Sequence, residues 1–379
     1  MKKYKGKVLM ALSGGVDSSV SAYLLKEQGY ELIGVHLKLW FDELSPKTGN
    51  KSVVYPENKC CSVESLERAR DLAKDLNIPF YIINFKNEFK DKVVDYFLET
   101  YKKGETPNPC IECNRNIKFG ALFKKMKELK ADFIATGHYA RKKEIKRAGN
   151  TIYELLAGKD NEKDQSYFLY TLNQEKLKHT LFPVGDYTKT QVRKLAKKYG
   201  LKNLKSKEES QDICFFPERK HNEFMKRNLD RKCLKKGPIK FINGEKVGQH
   251  KGLPFYTIGQ RKGLNIGGLK DPLFVVDLDI KNNTLVVGEN NKLFNNKLNT
   301  KKLSFINGSF PKTPIKIKAK VRNRFKPEYA EITEINNTSA KIHFSKKVRA
   351  ITKGQSVVFY GKNNTSKKYN KVIGGGIIK

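Results

Sequence analysis

Ser13-Gly14-Gly15-Val16-Asp17-Ser18 sets two adjacent glycines, two hydroxyls and one carboxylate between the apolar run Val8 to Leu12 and a helical spacing that stops at Gly29. A strand, a glycine turn and a helix N-terminus together form a cup of backbone N–H groups with a partial positive charge, which suits phosphate. Ser13 and Ser18 add hydroxyl donors, and Asp17 is placed to hold Mg2+ against the phosphates. A nucleotide is the expected ligand. The loop lacks the Gly-Lys-Ser/Thr ending of a Walker loop and the Gly-x-Gly-x-x-Gly of a dinucleotide site.

Thiols make the second chemical signal. Thr106-Pro107-Asn108-Pro109-Cys110-Ile111-Glu112-Cys113-Asn114 holds a Cys-x-x-Cys pair, and its two prolines predict an extended loop with both cysteines near solvent. Such a pair serves as a redox dithiol, half of a zinc site, part of an iron–sulfur site, or a nucleophile with a neighbour. No close Cys or His pair follows to complete a zinc site. Cys214, between polar Glu209 to Asp212 and aromatic Phe215 and Phe216, is either a buried structural thiol or the spatial partner of the pair. Cys60 and Cys61 are expected to pack, because adjacent cysteines do not easily share one tetrahedral site.

Ala135-Thr136-Gly137-His138-Tyr139-Ala140 adds a glycine that lets a ligand approach the backbone and a histidine able to bond phosphate or substrate. Lys163-Asp164-Gln165-Ser166 runs into Tyr167, Phe168 and Tyr170, a candidate RNA contact.

Positioning these groups needs a frame. Strands are expected at Val8 to Leu12, Glu31 to Leu39, Phe80 to Phe85 and Asp132 to Thr136, with helices at Ser18 to Gln28, Val63 to Leu76, Glu88 to Tyr101 and Ile117 to Leu129. The alternation predicts an α/β domain with a parallel sheet covered on both faces and ligands at the C-terminal strand ends. Phe41 to Lys59 reads as a surface loop, and Thr188 to Tyr199 as a helix capped by Gly200. After Pro217 short β segments prevail: Ile239 to Ile242, Leu273 to Leu278 and Thr284 to Val287, with one helix at Arg219 to Asn228. Ile315 to Val321, Ala340 to Phe344 and Ser356 to Tyr360 predict a C-terminal β-barrel or sandwich. The expected domains are 1–217, 218–290 and 291–379.

The 379 residues carry 76 Lys+Arg against 39 Asp+Glu, a formal net charge of +37. Residues 1–100 hold 15 basic and 14 acidic side chains, whereas residues 301–379 hold 19 and 3. That contrast points the later domains at a polyanion, most simply nucleic acid. No run of 18 apolar residues occurs, so no membrane partner is expected, and the N-terminus lacks a signal-peptide core. Six cysteines are too few for a disulfide scaffold of this size, and a cytoplasmic setting is expected.

The phosphate loop resembles the signature of the N-type ATP pyrophosphatases, which cleave ATP between the α and β phosphates and transfer AMP to an oxygen. Over nearly its full length the chain resembles the bacterial tRNA-specific 2-thiouridylase family. The motifs are the Ser-Gly-Gly-Val-Asp-Ser loop, Thr-Pro-Asn-Pro-Cys-x-x-Cys-Asn, Thr-Gly-His-Tyr-Ala, Lys-Asp-Gln-Ser-Tyr-Phe-Leu, Ser-Gln-Asp-Ile-Cys-Phe, Tyr-Thr-Ile-Gly-Gln-Arg-Lys-Gly-Leu and Gly-Gly-Gly-Ile-Ile. The resemblance implies a PP-loop catalytic domain followed by two β-rich tRNA-binding domains. It implies 2-thiolation of wobble uridine U34 in tRNA(Lys), tRNA(Glu) and tRNA(Gln).

By that resemblance ATP sits on Ala11, Leu12, Ser13, Gly14, Gly15, Val16, Asp17 and Ser18, with Leu37 and Gly137 near the adenosine, and adenylates the uridine C2 oxygen. Cys214 carries sulfur as a persulfide received from a sulfur-relay protein or cysteine desulfurase. Cys113 is the nucleophile that either assists its release, leaving a disulfide with Cys214, or releases hydrogen sulfide for attack on C2. Asn108, Pro109 and Cys110 border the flipped base. His138, Lys163, Asp164, Gln165, Arg322, Asn323 and Gln355 match positions near tRNA. Some members carry Asp at the position of Cys110. Here Cys110, Cys113 and Cys214 form a three-thiol set to which an iron–sulfur cluster is the alternative sulfur donor. Asn323 departs from an aromatic common in the family. A metabolite ligase of the same superfamily, which needs neither the cysteines nor a basic C-terminal domain, is the other alternative.

Overall fold

The computed structural model describes residues 4–42, 62–147, 149–201, 213–216, 221–267, 271–363 and 368–379. Cys60 and Cys61, nearly all of the loop expected at 41–59, Glu209 to Asp212 and the expected boundary after residue 217 lie outside the described residues.

In chain order the first part runs β1 (Lys7–Ala11), α1 (Val16–Glu27), β2 (Glu31–Lys38), α2 (Val63–Asp75), β3 (Phe80–Asn84), β4 (Phe133–Ala135), β5 (Ala140–Arg147), β6 (Asn150–Ala157) and β7 (Thr180–Leu181). A parallel sheet forms in the order β3-β2-β1-β4-β7. The apolar run of β1 explains why both faces are covered. Leu9 points into one cluster with Val35, Phe89, Phe97 and Ile117. Val8 and Met10 point the other way, against Ala22 and Leu25 of α1 and Ala69 and Leu72 of α2. The crossovers leave the β1–α1 loop at the C-terminal edge of the sheet's centre, the usual ligand position in such folds.

The central part consists of β8 (Gly237–Phe241), β9 (Lys246–His250), β10 (Phe274–Asp279) and β11 (Thr284–Gly288), in the order β10-β11-β8-β9. Ile239, Val275, Leu285 and Val287 fill its core.

The C-terminal part is a closed six-stranded barrel rather than a sandwich. Its strands are β12 (Phe294–Phe305), β13 (Ile315–Lys320), β14 (Glu328–Ile335), β15 (Ala340–Arg349), β16 (Ser356–Lys362) and β17 (Tyr369–Ile378). They run in the order β12-β15-β14-β13-β16-β17, and β12 pairs with β17 to close the ring. Alternate residues such as Ile317, Ile342, Val357 and Phe359 fill the interior. The hairpin β5–β6, early in the chain, leaves the parallel sheet and adds to β17, with Leu156 opposite Lys371.

Among the described residues no helix is long and apolar enough to cross a membrane.

Candidate nucleotide and thiol site

Gly14 has φ +68, and a side chain there would run into the Ser65 carbonyl at the start of α2. Only glycine combines that backbone with so close a neighbour. Arg68 of α2 donates to the Gly14 carbonyl at 2.9 Å and fixes the turn. Ser18 Oγ donates to Gly15 O at 2.9 Å and lies 3.2 Å from Ser13 Oγ. Gly15 caps α1 without a side-chain bond, so no hydroxyl or carboxylate of the cap competes for the first N–H groups. A Cβ at Gly137 would stand 2.8 Å from Ser18 N, which packs the end of β4 onto the first turn of α1. Leu37 lies near the end of β2, half-buried against the main cluster.

Asp17 is tied from two sides. Lys189 Nζ donates to its two oxygens at 2.7 and 2.9 Å, and Tyr139 donates its hydroxyl at 2.7 Å. Gln165 holds Tyr139 in turn, accepting from its N–H at 3.0 Å and donating its own N–H to the Tyr139 carbonyl at 2.9 Å. Lys189 begins the helix Lys189–Lys198, whose start is fixed by a reciprocal Thr188–Gln191 capping box. The carboxylate expected to hold Mg2+ thus already carries an ammonium group. As arranged, the residues fit a lysine here, and a bare metal ion would have to displace it.

The cysteine loop corrects one expectation. Pro109 starts a short helix, Pro109–Glu112, instead of breaking one, because a proline at the first helical position has no N–H to lose. Asn108 caps it, accepting from Ile111 N–H. Wider π-type turns follow over Cys113–Ala121. The two cysteines therefore part company. Cys110 faces solvent, while Cys113 is buried, 8% exposed, among Phe89, Val93, Phe97 and Phe215. Cys214 is half-buried against that same cluster.

The protein crowded around Cys110 pushes its thiol up to about 12, the neighbouring Cys214 acting in the same direction and Lys118 against both. Contact with solvent at Cys110 tempers that effect. Cys110 and Cys233 are free thiols. Among the described residues no three His, Cys, Asp or Glu side chains come together as a metal-holding group.

Several residues matched to tRNA contacts turn inward. His138 is buried between Phe119 and Phe182, with Nδ1 2.7 Å from Thr136 Oγ1. Burial, with Lys118's charge adding to it, holds its pKa well below the usual histidine value. Asp164 accepts from Gly158 N–H and Ser166 N–H at 3.0 Å each and pairs with Lys320 of β13 at 3.7 Å, both side chains nearly buried. Lys163 is half-buried, its backbone N–H on Asp160. Tyr167 and Tyr170 are fully buried, their hydroxyls on Ser356 O at 2.8 Å and Ser356 Oγ at 3.3 Å. The aromatic cluster expected to meet RNA is the seam between the sheet domain and the barrel. Arg322 donates to the Arg349 carbonyl, Asn323 buries its Oδ1 without a partner, and Gln355 donates to the carbonyls of Thr106 and Pro107.

Lys189, Tyr139 and Arg68 were not singled out by sequence. The Thr-x-x-Gln capping box marks the helix that carries Lys189, but nothing local indicates its partner 172 residues away.

Three family models match consecutive stretches: a tRNA methyl transferase HUP domain over residues 6–218, a tRNA methyl transferase PRC-barrel domain over 222–289, and an aminomethyltransferase beta-barrel domain over 295–378. The tRNA-specific 2-thiouridylase MnmA of Clostridioides difficile is 44% identical over 373 residues, 98% of each chain. That of Clostridium acetobutylicum is 45% identical over 375 residues, 98% of this chain and 99% of its own. That of Clostridium tetani is 44% identical over 379 residues, the whole of both. A solved 4-thiouridine synthetase–RNA complex with bound ATP aligns at TM-score 0.33 and 19% identity, covering 56% of this chain and 46% of that one. Matched along its length by the three models and by relatives at this identity, the chain belongs to the tRNA-specific 2-thiouridylase family.

Proposed function

We propose that the protein catalyses ATP-dependent 2-thiolation of wobble uridine U34 in tRNA(Lys), tRNA(Glu) and tRNA(Gln). The observation that carries this reading is the meeting of Cys113 and Cys214, distant in sequence, on one aromatic cluster beside Cys110. ATP lies on Ala11 to Ser18 with its adenosine towards Leu37 and Gly137. The uridine C2 oxygen attacks the α phosphate, a C2–O–AMP bond forms and pyrophosphate leaves. Lys189 follows the phosphates, exchanging Asp17 for them as negative charge arrives.

The terminal sulfur of a Cys214 persulfide then bonds to C2. The Cys113 thiolate takes the bridging sulfur, a Cys113–Cys214 disulfide forms, and AMP departs with the C2–O electron pair. An external dithiol reduces the disulfide, and a sulfur-relay protein or cysteine desulfurase reloads Cys214. Asn108 to Cys110 border the extruded base, whose removal from the stack the chemistry requires. Residues 1–217 do the chemistry, and 218–290 and 291–379 hold the tRNA. Solvent-facing lysines of the barrel supply phosphate contacts, and the protein works in the cytoplasm.

The test is an anaerobic assay with unmodified glutamate tRNA, Mg-ATP and a persulfide donor, reading 2-thiouridine by nucleoside mass spectrometry before and after iron chelation. Thiolation that survives chelation and vanishes in Cys214→Ser supports the persulfide route. Pyrophosphate released without tRNA points instead to a metabolite ligase.

A further inference from the structure

We infer that Gln355 is a positioning residue for the cysteine-bearing segment, which the barrel and the central β domain grip jointly at Thr106–Pro107. Four barrel contacts converge there. Gln355 Nε2 donates to Thr106 O at 3.2 Å and to Pro107 O at 3.0 Å. Thr106 N–H donates to Lys353 O at 2.8 Å. Lys301 Nζ pairs with Glu105 at 2.6 and 2.9 Å. Gly354, at φ +86, leaves room for the segment, since a Cβ there would stand 2.8 Å from both Thr106 N and Thr106 O.

The central domain adds Thr257, whose hydroxyl lies 3.5 Å from that of Thr106. Thr257 belongs to the Tyr-Thr-Ile-Gly-Gln turn, and Gly259 of the same turn packs on Ala350 of the barrel, 2.9 Å from where a Cβ would be. That motif, conspicuous in the sequence, is therefore the wedge at which the three parts of the chain meet.

The chemistry of the segment explains why a glutamine serves. A residue that precedes proline is held extended, so Thr106 cannot close a local turn, and prolines 107 and 109 have no N–H. The Thr106 and Pro107 carbonyls need donors from elsewhere. A carboxamide NH2 has two hydrogens, one for each. Pro107 lies two residues before the first turn of the cysteine helix, and Asn108 between them caps that turn. A slip at the grip passes directly to Cys110 and Cys113. Gln355 so engaged is turned towards the protein, and tRNA docking on the barrel reaches the thiols through it.

The test replaces Gln355 by Glu, which keeps the shape and removes the donors, and by Met, which keeps the length without a charge. Three readouts are compared with wild type: peptide-resolved alkylation of Cys110 by N-ethylmaleimide in the free protein, tRNA affinity, and the single-turnover rate of 2-thiouridine formation. Expected are several-fold faster Cys110 alkylation in both variants, unchanged tRNA affinity, and a rate lower by about a hundredfold, the scale of a 1 Å misplacement. Weakened tRNA binding with unchanged alkylation would make Gln355 an RNA contact and overturn the inference, as would alkylation and rate both unchanged. The rate arm rests on the proposed reaction. If wild type makes no 2-thiouridine, that reading fails, while the alkylation arm still decides the grip.

Discussion

Lys189 Nζ sits 2.7 and 2.9 Å from the two carboxylate oxygens of Asp17, an ion pair that joins the first turn of α1 to a helix far along the chain. The ammonium is thereby held at the rim of the phosphate loop before any nucleotide arrives. Because Tyr139 also bonds Asp17, and Gln165 bonds Tyr139, the pair is fixed in direction as well as distance.

If Lys189 moves onto the phosphates, its removal weakens adenylation specifically. Lys189→Ala is expected to lower the rate of tRNA-dependent pyrophosphate release by about a hundredfold, the usual cost of losing one preorganised donor, with tRNA affinity near normal. Asp17→Ala should also abolish AMP transfer while sparing tRNA binding. Retained pyrophosphate release in both would remove the pair from the reaction.

The thiols should sort by position. Cys113→Ser and Cys214→Ser are expected to abolish 2-thiouridine formation, since each removes a sulfur that the persulfide route needs. Cys110→Ser should keep most of it, because Cys110 lies on the solvent side and enters no bond change. Nucleoside mass spectrometry of the three variants decides; loss in Cys110→Ser to the level of the other two would restore a three-thiol role.

Stability should fall on mild acidification. Desolvation lowers the pKa of His36, His138, His221 and His250, most strongly for His138. Between the folded values and the unfolded value of about 6.5, the unfolded chain binds more protons, so each such group favours unfolding as pH drops through that window. The fully buried His138 contributes a slope of at most about 1.4 kcal/mol per pH unit. Urea midpoints at pH 7 and pH 5.5 test this, and His138→Gln should flatten the difference. An unchanged or higher midpoint at pH 5.5 would contradict it.

Asp164 and Lys320 form a nearly buried pair across the seam between sheet domain and barrel. Lys320→Ala leaves the carboxylate without its counter-ion and should destabilise the protein by about 3 kcal/mol, at the low end for a broken buried pair because Gly158 and Ser166 still donate to Asp164. Chemical denaturation measures it, and tRNA affinity of the folded fraction should hold. A large affinity loss with unchanged stability would mark Lys320 as an RNA ligand.

The basic C-terminal stretch, 19 Lys+Arg against 3 Asp+Glu over residues 301–379, should make tRNA affinity fall steeply with salt. A flat salt response would refute phosphate contact by the barrel.

What sequence made legible was local. Val8 to Leu12 spoke for a buried parallel strand because every residue is apolar, and Leu9 against Val8 and Met10 does split between two cores. The glycine turn was legible because few backbones need two glycines there. Less legible was anything decided by a distant partner. Tyr167 and Tyr170 carry the composition of an RNA platform, yet Ser356 of β16 takes both hydroxyls and closes the barrel over them. Pro109 misled because proline breaks a helix inside it and favours one at its start. The hairpin β5–β6 sets a mostly charged strand beside a more apolar one, and nothing within it names β17 as its neighbour.

That last pairing sets a timetable. β6 is complete once Ala157 has been made, but the strand that covers its edge begins only at Tyr369. At ribosomal speeds of about 5–20 residues per second, an interval of roughly 200 residues leaves that edge unsatisfied for about 10 to 40 seconds in every newborn chain. During that wait Leu155 and Leu156, buried in the finished protein, are open to any passing strand.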